Sequence, residues 1–126
     1  MPHLTLEYTD NIEIDAQTLF ARLHDALAAT GAVNMKGLKS RAIRHSDYRI
    51  ADGYEGYAFV HLNILLKEGR PFEIQQEVAK RAMAVLEDTF GHHFEQGYFS
   101  LSLDIKEMKA GLSLTNHNIP SGGVGS

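Results

Sequence analysis

The sequence predicts an α+β fold of two β-α-β units, with a four-stranded sheet and two helices on one face. Two stretches of alternating apolar residues, each followed by a helical pattern and a second strand, indicate this repeat. The units span about residues 2–45 and 57–108, and the polar stretch HSDYRIADGYEG separates them. Since β-α-β crossovers are right-handed, both helices are expected on the same face of the sheet.

The first unit begins with a strand in which Leu4, Leu6 and Tyr8 alternate with polar residues. Asp15 is a typical N-cap for the helix that follows, and Gly31 is a typical residue for its end. The apolar face of this helix consists of Ala16, Leu19, Phe20, Leu23 and Leu27. A basic strand over about residues 38–44 completes the unit.

The second unit repeats this order with a stronger strand, in which residues 58–66 present one apolar face. The turn KEGRP precedes a helix over about residues 72–90, and a last strand over about residues 99–105 follows Gly91. Residues 1–118 are therefore predicted to form a single domain. Residues 119–126, which are rich in glycine and serine, are expected to be a flexible tail.

Composition limits the classes of function. The 126-residue chain is long enough for one packed core, and it contains no cysteine, which excludes thiolate catalysis and disulfides. No apolar run reaches the roughly 20 residues of a membrane span, and the N-terminus has no secretion-signal pattern. A cytoplasmic protein without membrane contact is expected, and the formal charge of −4 argues against nucleic-acid binding.

Five of the twelve basic residues lie within fourteen positions, against one acidic residue, Asp47. These basic residues are Lys36, Lys39, Arg41, Arg44 and Arg49. Such a segment attracts small anionic ligands, but it is also typical of a solvated edge strand, where charges oppose aggregation. Spacing alone favours the edge-strand interpretation.

Tyr57, Phe59 and Leu65 lie on the face of the strong strand that is opposite its aliphatic face. Because the helices cover only one face of the sheet, this second face needs another partner. A homo-oligomer, joined sheet to sheet or edge to edge, is therefore expected.

An alternative function is the binding of single-stranded RNA. The stretch EGYAFVHL, residues 55–62, resembles an RNA-recognition-motif signature, and the order β-α-β-β-α-β is also that of this motif. Tyr57 and Phe59 would then stack on bases. However, Glu55 stands where the motif has a basic residue, and the first strand has aliphatic residues where a second stacking aromatic is needed. This interpretation therefore ranks second.

The sequence contains no strong motif for metal binding or nucleophilic catalysis. Seven histidines invite a metal site, but the adjacent His92 and His93 would diverge and lack the carboxylate spacing of known motifs. They are expected just past a helix C-terminus, where polar side chains satisfy carbonyl groups. No serine lies in a nucleophile elbow, and KEGRP lacks the glycines of a phosphate loop. No metal or cofactor is expected.

Pro2 offers another chemistry, although a proline is also tolerated simply as the first residue of a strand. Removal of Met1 would free its secondary amine, and an ordinary α-amine has a pKa of about 8. Burial and neighbouring cations disfavour the protonated form, so an amine beside Lys39, Arg41 or Arg70 would act first as a base and then as an acid. The same cations would bind carboxylates and stabilise an enolate.

Four stretches occur in a specific order, from Pro2 to about Asn118. They are PHLTLEYTDNI, LAATG, GLKSRAIR and ADGYEGYAFVHLNILLKEGR, which is followed by the long helix. Together they resemble the tautomerase superfamily, and within it the 5-carboxymethyl-2-hydroxymuconate isomerase family. The resemblance implies a homotrimer with active sites near the subunit boundaries. It also implies a cofactor-independent isomerase that ketonises a hydroxymuconate-type carboxylate in homoprotocatechuate degradation.

The resemblance further implies roles for single residues. Pro2 would be the acid/base that moves the proton, and Arg41 and Arg70 would bind the substrate carboxylate or enolate. Lys39 stands where the family has arginine, and because lysine is a point charge rather than a bidentate fork, the exact substrate is left open. Tyr57 begins the second unit in place of a proline, so one site per chain is expected.

Overall fold

The alternating and helical patterns fold into the predicted elements in a computed structural model, which describes residues 2–120 and 123–124. The elements are β1 (His3–Thr9), α1 (Ala16–Ala29), a 3-10 turn (Met35–Gly37), β2 (Lys39–His45), β3 (Ala58–Lys67), α2 (Phe72–Phe90), α3 (His92–Gln96) and β4 (Phe99–Met108). The predicted α+β class, strands and long helices are confirmed. The domain boundary near residue 118 stays a prediction, as does the flexibility of residues 119–126, because this tail lies partly outside the described residues.

The four strands form one mixed sheet in the order β2-β1-β3-β4. β1 and β2 run parallel, β3 and β4 run parallel, and the two units meet where β1 and β3 pair antiparallel. In this central register Leu4 lies opposite Ile64, and Leu6 lies opposite Leu62. Because side chains alternate across a strand, these apolar residues share one face of the sheet.

That face and both long helices share one hydrophobic core. The fully buried residues of the sheet side include Leu4, Leu6, Val60, Leu62 and Ile64. They belong to the same cluster as the helix residues Leu19, Leu23, Leu27, Val78, Ala82, Leu86 and Phe90. Both helices therefore cover the same face, as predicted. The other side of the sheet, which carries His3, Thr5 and Glu7 of β1, is the helix-free face.

The predicted boundaries of α1 are confirmed by their capping contacts. The Asp15 carboxylate accepts hydrogen bonds from the Thr18 backbone N–H at 3.2 Å and from the Thr18 hydroxyl at 2.7 Å. The first of these bonds satisfies a backbone N–H group that has no partner inside the helix. After the helix ends, Gly31 adopts a φ of 76°, a left-handed conformation that suits glycine.

The prediction that the chain runs directly from Gly91 into the last strand is wrong. Gly91 keeps a helical conformation, with φ −55° and ψ −33°, so a further short helix, α3, follows it. His92 and His93 therefore belong to α3. The His93 ring lies 5.1 Å from the Phe99 ring, and burial, followed by the nearby His92, lowers the pKa of His93.

No helix within residues 2–120 and 123–124 has the length and apolarity that a membrane crossing requires.

Candidate active site

A cavity of about 410 Å³ lies on the helix-free face of the sheet. Its lining residues are His3, Thr5, Arg41, Asn63, Ile64, Leu65, Lys106 and Met108. All four strands contribute to this wall. Arg41 on β2 and Lys106 on β4 are separated by three strand spacings, roughly 14 Å between backbones. The cavity thus has cations on both sides and suits an anionic ligand.

The strand register explains why these residues meet. Two rows of paired residues cross the helix-free face from β2 to β4. One row consists of Arg41, Thr5, Asn63 and Asp104. The next row consists of Lys39, His3, Leu65 and Lys106. Lys39 and Arg41, the two basic residues of β2 that were assigned to the site, therefore lie on the same face as the cavity.

Arg41 and His3 form the most direct side-chain contact of this cavity. The Arg41 Nη2 lies 3.0 Å from the His3 Nδ1. Because a guanidinium group can only donate, the His3 Nδ1 must accept this hydrogen bond. Burial, followed by the charges of Arg41 and Lys39, lowers the pKa of His3 below its ordinary value of 6.5. The imidazole is therefore held neutral beside the guanidinium.

Lys39 carries a buried amino group. Its Nζ atom is shielded from solvent and has no hydrogen-bond partner within the described part of the chain. An unpaired buried polar group is costly, so such groups often mark sites where something else supplies the partner. With His3 beside it in the register and Arg41 two residues away on the same face, this amine is placed to receive an anion.

Pro2 is buried at the start of β1, next to the cavity residue His3. Its carbonyl oxygen accepts a hydrogen bond from the Lys39 backbone N–H at 3.3 Å, which continues the pairing of β1 with β2. The structure therefore brings Pro2 next to Lys39 on the two paired strands, whereas Arg41 lies opposite Thr5. Of these three residues Arg41 lines the cavity, and Pro2 and Lys39 lie beside it. Met1 lies outside the described residues, and its removal stays a prediction.

Arg70 lies elsewhere, in the turn between β3 and α2. Its Nε donates to the Ala32 carbonyl at 2.7 Å, and its Nη1 donates to the Lys67 carbonyl at 2.8 Å. The Arg70 carbonyl in turn accepts from the Gln75 side chain at 3.0 Å. Arg70 thus braces the turn against the segment after α1, and it is not among the residues that line the 410 Å³ cavity.

Sequence reasoning missed His3, Asn63 and Lys106 as cavity residues. Alternation along β1 and β3 already places His3 and Asn63 away from the apolar face, so a signal for them existed. What the pattern does not contain is the pairing of β3 with β1, which brings Asn63 next to Thr5. Lys106 is three strands away from β2, and its place depends on the whole strand order.

Beyond the cavity, polar side chains link all four strands across the helix-free face. His45 Nε2 lies 2.9 Å from Glu7 Oε1, and Asn63 Nδ2 donates to Glu7 Oε2 at 3.2 Å. His61 Nδ1 lies 2.6 Å from Ser102 Oγ, and its Nε2 lies 3.3 Å from Asn63 Oδ1. Within residues 2–120 and 123–124, no group of three or more His, Cys, Asp or Glu residues is arranged to hold a metal ion.

The aromatic residues assigned to RNA stacking contact other rings of the chain. Tyr48 meets Phe59 edge-on, with ring centroids 6.3 Å apart, and the His45 ring lies 6.2 Å from Phe59. Tyr57 packs edge-on against Tyr54 at 5.2 Å. These rings support one another rather than forming an open platform, which does not favour base stacking.

Two comparisons with known sequences identify the same family of enzymes. The sequence profile of a family described as 5-carboxymethyl-2-hydroxymuconate isomerase matches residues 2–121. A 5-carboxymethyl-2-hydroxymuconate Delta-isomerase from Escherichia coli is 32% identical over 121 residues. The match covers 94% of this chain and 96% of that protein.

Solved structures agree with the sequence matches. A 5-carboxymethyl-2-hydroxymuconate isomerase from Deinococcus radiodurans R1 has a TM-score of 0.87 and 37% identity, covering 93% of this chain and 90% of that one. A structure described as a fused 4-OT symmetric trimer has a TM-score of 0.72 and 15% identity, covering 98% and 99% of the two chains, and shares the fold. These matches do not support the RNA-binding alternative.

Proposed function

Since the chain belongs to the 5-carboxymethyl-2-hydroxymuconate isomerase family, and is therefore an isomerase of this kind, we propose that it uses Pro2 to ketonise a hydroxymuconate-type substrate. The substrate would be an unsaturated 2-hydroxy di- or tricarboxylate. The proposal places the enzyme in the cytoplasm, in the degradation of aromatic compounds such as homoprotocatechuate.

The buried Nζ of Lys39 is the observation that carries this proposal. It has no hydrogen-bond partner among the described residues, and it lies in the row of residues beside the Arg41–His3 pair. A carboxylate of the ligand would supply the missing partner, and charge-assisted hydrogen bonds of this kind are stronger than neutral ones. Lys106 on the far side of the cavity would meet a second carboxylate.

The proposed reaction moves one proton. The neutral Pro2 amine takes the proton of the 2-hydroxyl group, and the electron pair of the broken O–H bond forms the ketone while the double bonds shift. The protonated amine then gives a proton to carbon at the other end of the conjugated system. Because one O–H bond is exchanged for one C–H bond, no electrons are gained or lost. Arg41 and Lys39 would stabilise the negative charge that develops on oxygen.

Arg70 has a more limited place in the proposal. Two of its five N–H groups are engaged by the carbonyls of Ala32 and Lys67. A substrate carboxylate would therefore be bound through the remaining N–H groups, while the two carbonyl bonds keep the guanidinium in position. Lys39 would bind as a point charge where the family has arginine, which favours a less rigidly oriented carboxylate.

The proposed assembly is a homotrimer with sites near the subunit boundaries. The helix-free face supports this, because it combines half-buried apolar residues such as Phe59 and Leu65 with polar side chains already linked to one another. A sheet face that no helix covers is suited to packing against further copies of the chain. The trimeric structure with the same fold is consistent with such an arrangement.

Selective acetylation of the Pro2 amine tests the mechanism. The chain is prepared with a free Pro2, which intact mass spectrometry verifies, and the ketonisation of 5-carboxymethyl-2-hydroxymuconate is followed by ultraviolet absorbance. An amide nitrogen cannot accept the proton, so kcat/KM should fall by at least about 100-fold, the usual contribution of general acid–base catalysis.

An acetylated chain with unchanged circular dichroism and unchanged thermal unfolding serves as the folding control. If such a chain turned over the substrate at the rate of the free amine, Pro2 would not be the acid/base. If the free-amine chain showed no ketonisation at all, the proposed substrate class would be wrong.

A further inference from the structure

We propose that His3 is a positioning residue, whose neutral imidazole orients the Arg41 guanidinium toward the ligand and presents its own Nε2–H to the cavity. This inference rests on the proposed function, since it concerns the residues that receive the substrate carboxylate. Neither composition nor spacing indicates such a role, which arises only from the contact between β1 and β2.

The hydrogen bond determines the tautomer of His3. The Arg41 Nη2 lies 3.0 Å from Nδ1, and arginine carries donors only. Nδ1 must therefore hold a lone pair, and in the neutral ring the proton is on Nε2. Because His3 lines the cavity, that N–H is a donor available to a carboxylate or a carbonyl oxygen of the ligand.

The charges around His3 keep it neutral. Arg41 and Lys39 face it from β2, and Lys106 shares the cavity wall from β4. β3 contributes the uncharged Asn63 and Leu65, and the helices lie on the other face of the sheet. The side chains of Arg41, Lys39 and Lys106 are all cations, which disfavours a protonated imidazole.

The carboxylate of β1 on this face is engaged elsewhere. Glu7 is bonded to His45 through one oxygen and to Asn63 through the other. It does not lie on the cavity wall, and the described residues that line this wall include no acidic one. A protonated His3 would therefore lack an anionic partner there, until a ligand supplies one.

Protonation of His3 has a defined consequence. An imidazolium ring has no lone pair at Nδ1, so it cannot accept the hydrogen bond from Arg41. The guanidinium would lose its orientation and would stand beside a second cation. Burial and the charges of Arg41 and Lys39 lower the pKa of His3, so the oriented arrangement exists above that pKa and is lost as the pH falls through it.

Two substitutions of similar size separate the roles of the ring nitrogens. In His3→Asn the amide oxygen occupies the place of Nδ1 and can still accept from Arg41, whereas in His3→Gln the amide group occupies the place of Nε2. We expect H3N to keep KM within about threefold of the wild type and H3Q to raise KM about tenfold, with kcat changed less in both. His92→Asn, at an exposed histidine of α3, is the matched control and should change neither parameter.

A second readout does not depend on catalysis. Nitrogen-15 NMR of the histidine rings should show His3 with an unprotonated Nδ1 and a protonated Nε2, at a pH above its pKa. In Arg41→Ala the tautomer should no longer be restricted, and the pKa of His3 should rise, because a hydrogen-bond donor and a neighbouring cation are both removed. Muconate, a dianion, serves as the binding probe in the same NMR experiments, and H3Q should bind it about tenfold more weakly than H3N.

The outcomes distinguish this inference from the proposed function. A wild-type chain that shows no ketonisation, but shows the predicted tautomer and the predicted order of muconate affinities, would refute the substrate and keep the role of His3. Equal KM values and equal muconate affinities for H3N and H3Q would overturn the role of His3. So would a proton on Nδ1 in the wild type. Thermal unfolding of each variant shows whether a loss reflects misfolding.

Discussion

Replacing Lys39 with methionine should stabilise the fold and weaken substrate binding at the same time. Methionine has nearly the length of lysine but lacks its donors. The Nζ atom is buried without a hydrogen-bond partner among the described residues, and leaving such a group unpaired costs about 1–3 kcal/mol. The free energy of unfolding of K39M should therefore exceed that of the wild type by about 1–3 kcal/mol.

Urea unfolding measures this difference. A small domain loses about 1–3 kcal/mol of stability per molar urea, so the midpoint of K39M should rise by about 1 M. Both proteins are compared at the same concentration and without ligand, because an oligomer is stabilised by mass action. Lys80→Met, at an exposed position of α2, is the matched control and should change the stability by less than about 0.5 kcal/mol.

Binding should change in the opposite direction. With the charge-assisted hydrogen bond to a carboxylate removed, KM of K39M should rise about tenfold, which corresponds to about 1.4 kcal/mol. A midpoint that falls while KM stays constant would refute the reasoning, because Nζ would then have a stabilising partner inside the protein and no role toward the ligand.

Two further changes test the core and the helix cap. Leu62→Ala, at a fully buried position of β3, should lower the free energy of unfolding by about 3–5 kcal/mol in urea titrations, whereas Leu114→Ala, at a position that is 90% exposed, should change it by less than about 0.5 kcal/mol. The hydrogen bonds from Thr18 lower the pKa of Asp15 below its ordinary value of 3.8. The ionised carboxylate therefore stabilises the folded chain above pH 3.8, and this stability is lost as the pH falls through the lowered pKa. Asp15→Asn keeps a helix cap that does not titrate. The melting temperature of this variant should therefore decline less than that of the wild type between pH 5 and pH 2. An equal decline would show that Asp15 does not contribute to the pH dependence of stability.

Much of the secondary structure can be read from the sequence because its signals are local. Alternation in residues 58–66 and helical spacing in residues 72–90 each occupy one continuous stretch, and Asp15 and Gly31 mark helix ends by their own chemistry. The short helix α3 cannot be predicted from such local signals. Glycine is permissive, so whether Gly91 stops a helix or continues it depends on the packing of the residues beyond it.

The candidate site could be predicted only in part. The basic strand identifies Lys39 and Arg41, and the N-terminal position identifies Pro2. Neither signal gives the distances between these residues in the folded chain. Arg70 illustrates the difference. Its place in the KEGRP turn can be read directly, whereas its bond to the Ala32 carbonyl depends on how a segment 38 residues earlier in the chain is packed.

The amino-acid sequence by itself determined that the chain forms two β-α-β units, which faces of the strands are apolar, and which residues carry the chemistry. These properties follow from side-chain periodicity and backbone preferences, which act over a few residues. Only the tertiary structure decided that β1 pairs with both β2 and β3, so that His3 meets Arg41 and that the Lys39 amine is buried without a partner within the described residues. Strand register and the direction of long side chains arise from contacts between residues far apart in the chain, and no local pattern encodes them.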